Sequence, residues 1–184
     1  MSEPSLPDKI VAIDERLSAA RIPHAFGGAL ALAYYAEPRA TDDVDVNLFV
    51  APARFDAVTA VLEPLGVGGD VSSAEVQREG QCRLWWGRNP VDLFFAYDEL
   101  HDAMRREVRR VPFGDDTLPI LSPEHLIVCK VAFDRPKDWL DVEQMLVCVE
   151  HLDAEAITGW LDRIAGPEDE RRERFVALAA ELLG

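Results

Sequence analysis

Asp43 and Asp45 stand one residue apart in the run Thr41-Asp-Asp-Val-Asp-Val-Asn-Leu-Phe-Val50. In an extended strand such a pair shares one face, and Val44 and Val46 point to the other. Two carboxylates so close repel each other, so a cation must compensate. Hard divalent ions such as Mg²⁺ take oxygen ligands of this kind together with phosphate oxygens, and one carboxylate can bridge two ions. A third carboxylate is then expected on a neighbouring strand. Asp92 fits, because it lies alone among Val91, Leu93, Phe94 and Phe95 and needs a partner there. Upstream, Gly27-Gly28 joins a short apolar stretch, His24-Ala-Phe26, to a small apolar segment. A glycine pair at a strand-to-helix turn lets backbone N–H groups come close to phosphate.

The elements that must position these residues follow from periodicity. Ile10, Val11, Ile13, Leu17 and Ala20 recur as on an amphipathic helix over 7–20, with Pro7 in its first turn. Strands are expected at 24–26 and 43–50, with a buried helix over 29–36 between them that ends at Glu37-Pro38. A helix over 53–65 turns Phe55, Val58, Val61 and Leu62 inward. Strands at 81–87 and 91–97 meet near Arg88-Asn89-Pro90. A short helix at 98–106 and strands at 107–112 and 117–121 follow. Ser122-Pro-Glu124 reads as a helix start, with serine as cap and proline in the first turn. From there the chain reads as helix: to about 133, then 138–151, 154–165 and 168–182. The expectation is a mixed-sheet α/β core over 1–121 with a helical region over 122–184 packed on it.

Gly27-Gly28, a small apolar helix, then Arg39-Ala-Thr41-Asp-Asp43-Val-Asp45 resembles the nucleotidyltransferase superfamily. The arginine and threonine are similar to those of AbiEii-type toxins and of aminoglycoside nucleotidyltransferases. Leu121-Ser-Pro-Glu-His-Leu-Ile-Val-Cys-Lys130, with Arg135-Pro-Lys-Asp138 through Asp141-Val142, resembles the helical element after the core in those relatives. The resemblance spans roughly residues 7–150. It implies a nucleotidyltransferase-type mixed β-sheet flanked by helices, with a C-terminal helical extension. It implies transfer of a nucleoside monophosphate from a nucleoside triphosphate to an acceptor hydroxyl, with release of pyrophosphate. Asp43, Asp45 and Asp92 would hold two Mg²⁺ ions, or Mn²⁺, with Asp92 also the base on the hydroxyl. Gly27 and Gly28 would hold the triphosphate, Arg39 and Thr41 would support the phosphate or the aspartate loop, and Lys130 would contact phosphate. Arg135, Lys137 and Asp138 are further candidates for nucleotide or acceptor contacts.

The acceptor is open: RNA such as tRNA, protein, or a small molecule such as an aminoglycoside. The toxin resemblance also brings in an antitoxin partner, and a module that binds nucleotide without turnover is the reading outside catalysis. The chain has 184 residues, with 19 basic against 34 acidic, a net charge of −15. Such a surface repels phosphate backbones and attracts cationic ligands. The C-terminal region is also short for an AbiEii-type toxin, which, with the acidic charge, moves weight toward a small acceptor or toward an unusual toxin. Two basic clusters, Arg105, Arg106, Arg109 and Arg110, then Arg171, Arg172 and Arg174, read as a solvated helix face or strand edge. No apolar run reaches the roughly 18 residues of a membrane span. No signal-peptide pattern opens the sequence. Cys82, Cys129 and Cys148 are widely spaced among apolar neighbours, so buried reduced thiols and a cytoplasmic location are expected. The histidines lack metal-ligand spacing and read as structural or exposed.

Overall fold

The computed structural model describes residues 3–183. The chain divides into two compact units, one of residues up to Leu30 with Ala40–Ile120, the other of Ala31–Arg39 with the chain from Leu121 onward.

The first unit is built on a mixed seven-stranded sheet, in the order β3-β4-β5-β2-β1-β7-β6. Its strands are β1 (His24–Phe26), β2 (Val44–Leu48), β3 (Val67–Gly68), β4 (Gln81–Trp86), β5 (Asn89–Phe95), β6 (Arg109–Phe113) and β7 (Asp116–Ile120). Helices α1 (Leu6–Ala19), α3 (Phe55–Leu62), α4 (Ser73–Glu79) and α5 (Glu99–Arg106) belong with it, and the single-turn α2 (Gly28–Leu32) leaves it. Ser5 and Asp8 form a capping box at the start of α1. Ile13, Leu17, Phe26, Leu48, Leu93 and Phe95 are wholly buried and form its core. Central strands β2 and β5 run parallel, and each carries one aspartate among apolar residues.

The second unit holds α6 (Pro123–Phe133), α7 (Pro136–Cys148), α8 (Ala154–Ile164) and α9 (Glu170–Leu183). Ser122 caps α6 as the Ser-Pro-Glu signal predicts. Val131, Val142, Met145, Ile157, Leu161 and Phe175 fill this core. The second basic cluster is tied down within it. Arg171 donates to Asp169 and to the Ala132 carbonyl, Arg172 donates to Asp162, and Arg174 lies 4.0 Å over the Trp139 ring.

Several expectations need correction. The helix after Gly28 stops at Leu32 and passes into turns, because Tyr34 and Tyr35 bond three residues back. The strand carrying the aspartates begins at Val44, so Asp43 is its lead-in residue. The hairpin turn is Gly87-Arg88, one residue earlier than read, with Gly87 at φ +60°. Pro90 sits inside β5, opposite Trp85 but ahead of the ladder to β2, so its missing N–H is not needed there. β3 and α4 occupy the stretch between the expected helix over 53–65 and the expected strand at 81–87, where no element is expected. The thiols are not buried: Cys148 is exposed on the last turn of α7, and Cys82 and Cys129 are half-buried. Two arginines of the first cluster, Arg109 and Arg110, lie on edge strand β6, as read.

Candidate functional site

Strand register places the carboxylates. β2 and β5 are parallel neighbours, and Asp45 lies directly opposite Asp92. Directly opposed residues project from the same face, so the two side chains are neighbours. Asp43 stands two residues before Asp45, and both are half-buried, as is Asp92. The alternation that exposes them buries Val44, Val46, Val91 and Leu93 on the opposite face.

Gly28 is fitted against Asp45. Its φ is +54°, a conformation that side chains disfavour. A Cβ added there would lie 1.7 Å from Asp45 Oδ2. The preceding Gly27 N–H donates to the Asp45 carbonyl at 3.0 Å. The Gly27-Gly28 turn is therefore built around the aspartate on both counts, backbone bond and close approach.

The lead-in loop is held from two directions. The Thr41 hydroxyl accepts from the Asp43 N–H at 3.1 Å, which fixes the turn into β2. Asn89, buried at the start of β5, donates to the Asp42 carbonyl at 2.9 Å. Its side-chain oxygen in turn accepts from Lys9 Nζ at 2.8 Å. Lys9 is itself 1% exposed. It also donates to the Trp86 carbonyl and to Glu3, and its ammonium sits 5.5 Å from the Trp86 ring centre. A buried lysine on α1 thus ties the β4–β5 turn to the aspartate loop. Sequence reading placed Lys9 on an amphipathic helix and missed this; a lysine between Asp8 and Ile10 carries no signal of burial.

Arg83 is the second residue that sequence reading missed. It lies opposite Asp92 on the far side from Asp45, in antiparallel β4. Its Nε and Nη2 each donate at 2.7 Å, one to each oxygen of Asp92. That hydrogen-bonded pairing raises the guanidinium pKa, and the charges of Asp43 and Asp45 push the same way. Nearby, burial and then the Asp92 charge push the Cys82 thiol up to about 11, so it stays protonated and unreactive at neutral pH. The signal for Arg83 was its place in QCRLWWG, whose alternation pairs it with the aspartate strand once the hairpin register is fixed.

Arg39 and Lys130 meet in the second unit. Lys130 is 4% exposed and donates to Asp141 Oδ2 at 2.6 Å. Arg39 reaches the same carboxylate, with Nη2 at 3.1 Å from Oδ2 and Nε at 3.2 Å from Oδ1. Burial pushes the Asp141 carboxyl up, but the two cations outweigh it and the net direction is down. Of the further candidates, Arg135 and Asp138 pair with each other, and Asp138 is buried. Lys137 is exposed on the first turn of α7. Of the two adjacent tryptophans, Trp85 is 46% exposed and Trp86 packs on Lys9.

The solved antibiotic-resistance factor ANT(2'')-Ia superposes on this chain with a TM-score of 0.62, at 17% identity, over 98% of each chain. This is a nucleotidyltransferase fold. The lincosamide antibiotic adenylyltransferase LnuA, solved with lincomycin bound, matches with a TM-score of 0.56 at 10% identity, over 80% of this chain and all of its own. A nucleotidyltransferase-like protein from Paracoccidioides brasiliensis matches with a TM-score of 0.53 at 13% identity, over 96% of this chain and 87% of its own. No family model matches the chain, and no curated protein does either. At these identities the likeness is one of fold. It accounts for the mixed sheet and the helices that follow.

Whether the nucleotidyltransferase fold here suits a metal is a question of donors. Three carboxylates and no sulfur or imidazole form a hard oxygen set, which fits Mg²⁺ or Mn²⁺. Yet no three acidic, histidine or cysteine side chains among the described residues are gathered closely enough to hold an ion. Asp92 is turned onto Arg83, with both its oxygens engaged. The donors are of the right kind, and one is already neutralised by a residue of the chain. No helix among the described residues is long and apolar enough to cross a membrane.

Proposed function

We propose that the chain is a metal-dependent nucleotidyltransferase that moves a nucleoside monophosphate from a nucleoside triphosphate to an acceptor hydroxyl. The observation that carries this reading is the register of Asp45 against Asp92, with Gly28 shaped around Asp45. Asp43, Asp45 and Asp92 would hold Mg²⁺ or Mn²⁺, with two ions as the proposed number. Such ions neutralise the charge that builds on the phosphate oxygens. The chain's own residues do the rest. Asp92 accepts the acceptor hydroxyl's proton. The hydroxyl oxygen forms a bond to the α-phosphorus, the α–β bridging P–O bond breaks, and pyrophosphate leaves. Gly27-Gly28 admits the triphosphate close to the backbone. Thr41 and Asn89 hold the loop that aims Asp43. Arg39 and Lys130, paired through Asp141, are the proposed cationic contacts to the nucleotide.

For the acceptor we favour a small cationic molecule. The net charge of −15 supports it. So do the similar structures, one of which is an ANT(2'')-Ia complex with adenylyl-2''-tobramycin. A toxin-type enzyme acting on RNA or protein, with an antitoxin partner, is the reading to separate from it. The protein is incubated with Mg²⁺ and each labelled nucleoside triphosphate, offering aminoglycosides, lincosamides, total tRNA or protein as acceptor. Label transferred to a small cationic acceptor, and lost in Asp43→Ala and Asp45→Ala, is the expected result. Label on tRNA or protein establishes the toxin-type reading instead. Binding of triphosphate with no transfer to any acceptor leaves a nucleotide-binding module.

A further inference from the structure

We propose that Arg83 is a resident counter-cation of the carboxylate site, which a divalent ion must displace before Asp92 can serve as a ligand. The inference rests on the metal-holding reading of Asp43, Asp45 and Asp92 and adds a residue that sets how tightly they hold it. Asp45, Asp92 and Arg83 form one row across three adjoining strands, β2, β5 and β4. The fork of Arg83 matches the carboxylate oxygen for oxygen at 2.7 Å, the geometry that favours arginine over lysine. An ion approaching Asp92 therefore finds both of its oxygens taken.

The pair is also of a kind that yields. The Arg83 side chain is 52% exposed and Asp92 is 16% exposed. An ion pair open to water contributes little net stability, so a divalent ion can win, at a cost to its affinity. No other cation in the described structure is recorded on Asp92, and the guanidinium once displaced has solvent to move into. Arg83 thus raises the ion concentration at which the site fills, and holds Asp92 oriented until then.

The test reads Mn²⁺ binding to the full chain by electron paramagnetic resonance, without nucleotide. Arg83→Gln is expected to tighten Mn²⁺ binding about three- to fivefold, the range an exposed bidentate pair allows. In an Asp92→Asn background the same substitution is expected to change nothing, because the pair is already gone. Arg78→Gln, which removes another solvent-exposed arginine charge, on α4, is the control for net charge and is expected to match the parent. Unchanged or weaker binding in Arg83→Gln overturns the proposal. A gain that persists in the Asp92→Asn background, or that Arg78→Gln reproduces, also overturns it, since the effect is then one of field alone. If neither the parent nor Arg83→Gln binds Mn²⁺ at millimolar concentration, the metal-holding reading itself falls, and this inference with it. Circular dichroism of each variant confirms that the fold is kept.

Discussion

At the scale of single residues, the site depends on a few atoms with no slack. Asp45 faces Asp92 across one strand pair, and Gly28 leaves no space for a methyl group beside Asp45. Asp45→Asn keeps the shape and removes the charge. It is expected to lower transfer by at least about a hundredfold with the thermal midpoint nearly unchanged, as loss of a charge-stabilising group does. Gly28→Ala should fail differently. It forces Asp45 to move and strains a positive φ, so it should cost about 1–2 kcal/mol of stability as well as about a hundredfold in rate. Urea unfolding beside initial rates separates the two cases. The aspartates and glycines were legible because residue type and spacing alone specify them. Arg83 was not, because its role depends on a hairpin register that hinges on whether the turn is Gly87-Arg88 or one residue later.

At the scale of elements, α1 and the β4–β5 hairpin are coupled through Lys9. Its ammonium serves Asn89, the Trp86 carbonyl and Glu3, and Asn89 then holds the Asp42 carbonyl. Lys9→Met fills the space but leaves a buried amide oxygen and a carbonyl without their donor. We expect a loss of about 2–3 kcal/mol in urea unfolding, from bonds to a charged group. In the helical unit the corresponding joint is Asp141 between Lys130 and Arg39. Its carboxyl pKa is lower folded than its ordinary value of 3.8. The stability this provides is present above that value and is lost as pH falls below it toward the folded pKa. Urea midpoints measured from pH 7 down to pH 3 should therefore fall at the acid end. Asp141→Asn should be less stable at neutral pH and should show a smaller fall there. The helices α6 to α9 were readable from caps and apolar spacing. Lys130 and Asp141 lie 11 residues apart, across the break between α6 and α7, and periodicity on each helix does not reveal their pairing.

At the scale of the whole molecule, charge is the property that reaches beyond the site. With 34 acidic against 19 basic residues, a cationic acceptor is drawn in at long range. The KM for a polycationic acceptor should rise several-fold between about 0.01 M and 0.15 M salt, where the screening length falls from roughly 30 Å to 8 Å. The kcat should change little. A neutral acceptor should show no such trend, and initial rates across a salt series decide it. The mixed α/β class with a helical extension was legible from the order of strands and helices. The strand order was not, since β1 is antiparallel to β2 and parallel to β7, a choice that tertiary packing makes.

The sheet protects its strands unequally. From Val91 to Phe94, β5 is bonded by β4 on one side and β2 on the other. β4 has only the two residues of β3 on its outer side, opposite Trp85 and Trp86, so Gln81 to Leu84 are laddered from one side alone. Amide hydrogens there should exchange with deuterium sooner than those of Val91 to Phe95, because local opening begins where the ladder is incomplete. Arg83 rides on this lightly fastened stretch, and Asp92 on the strand that opens last. Exchange measured peptide by peptide would then show the two partners of one ion pair belonging to different cooperative units.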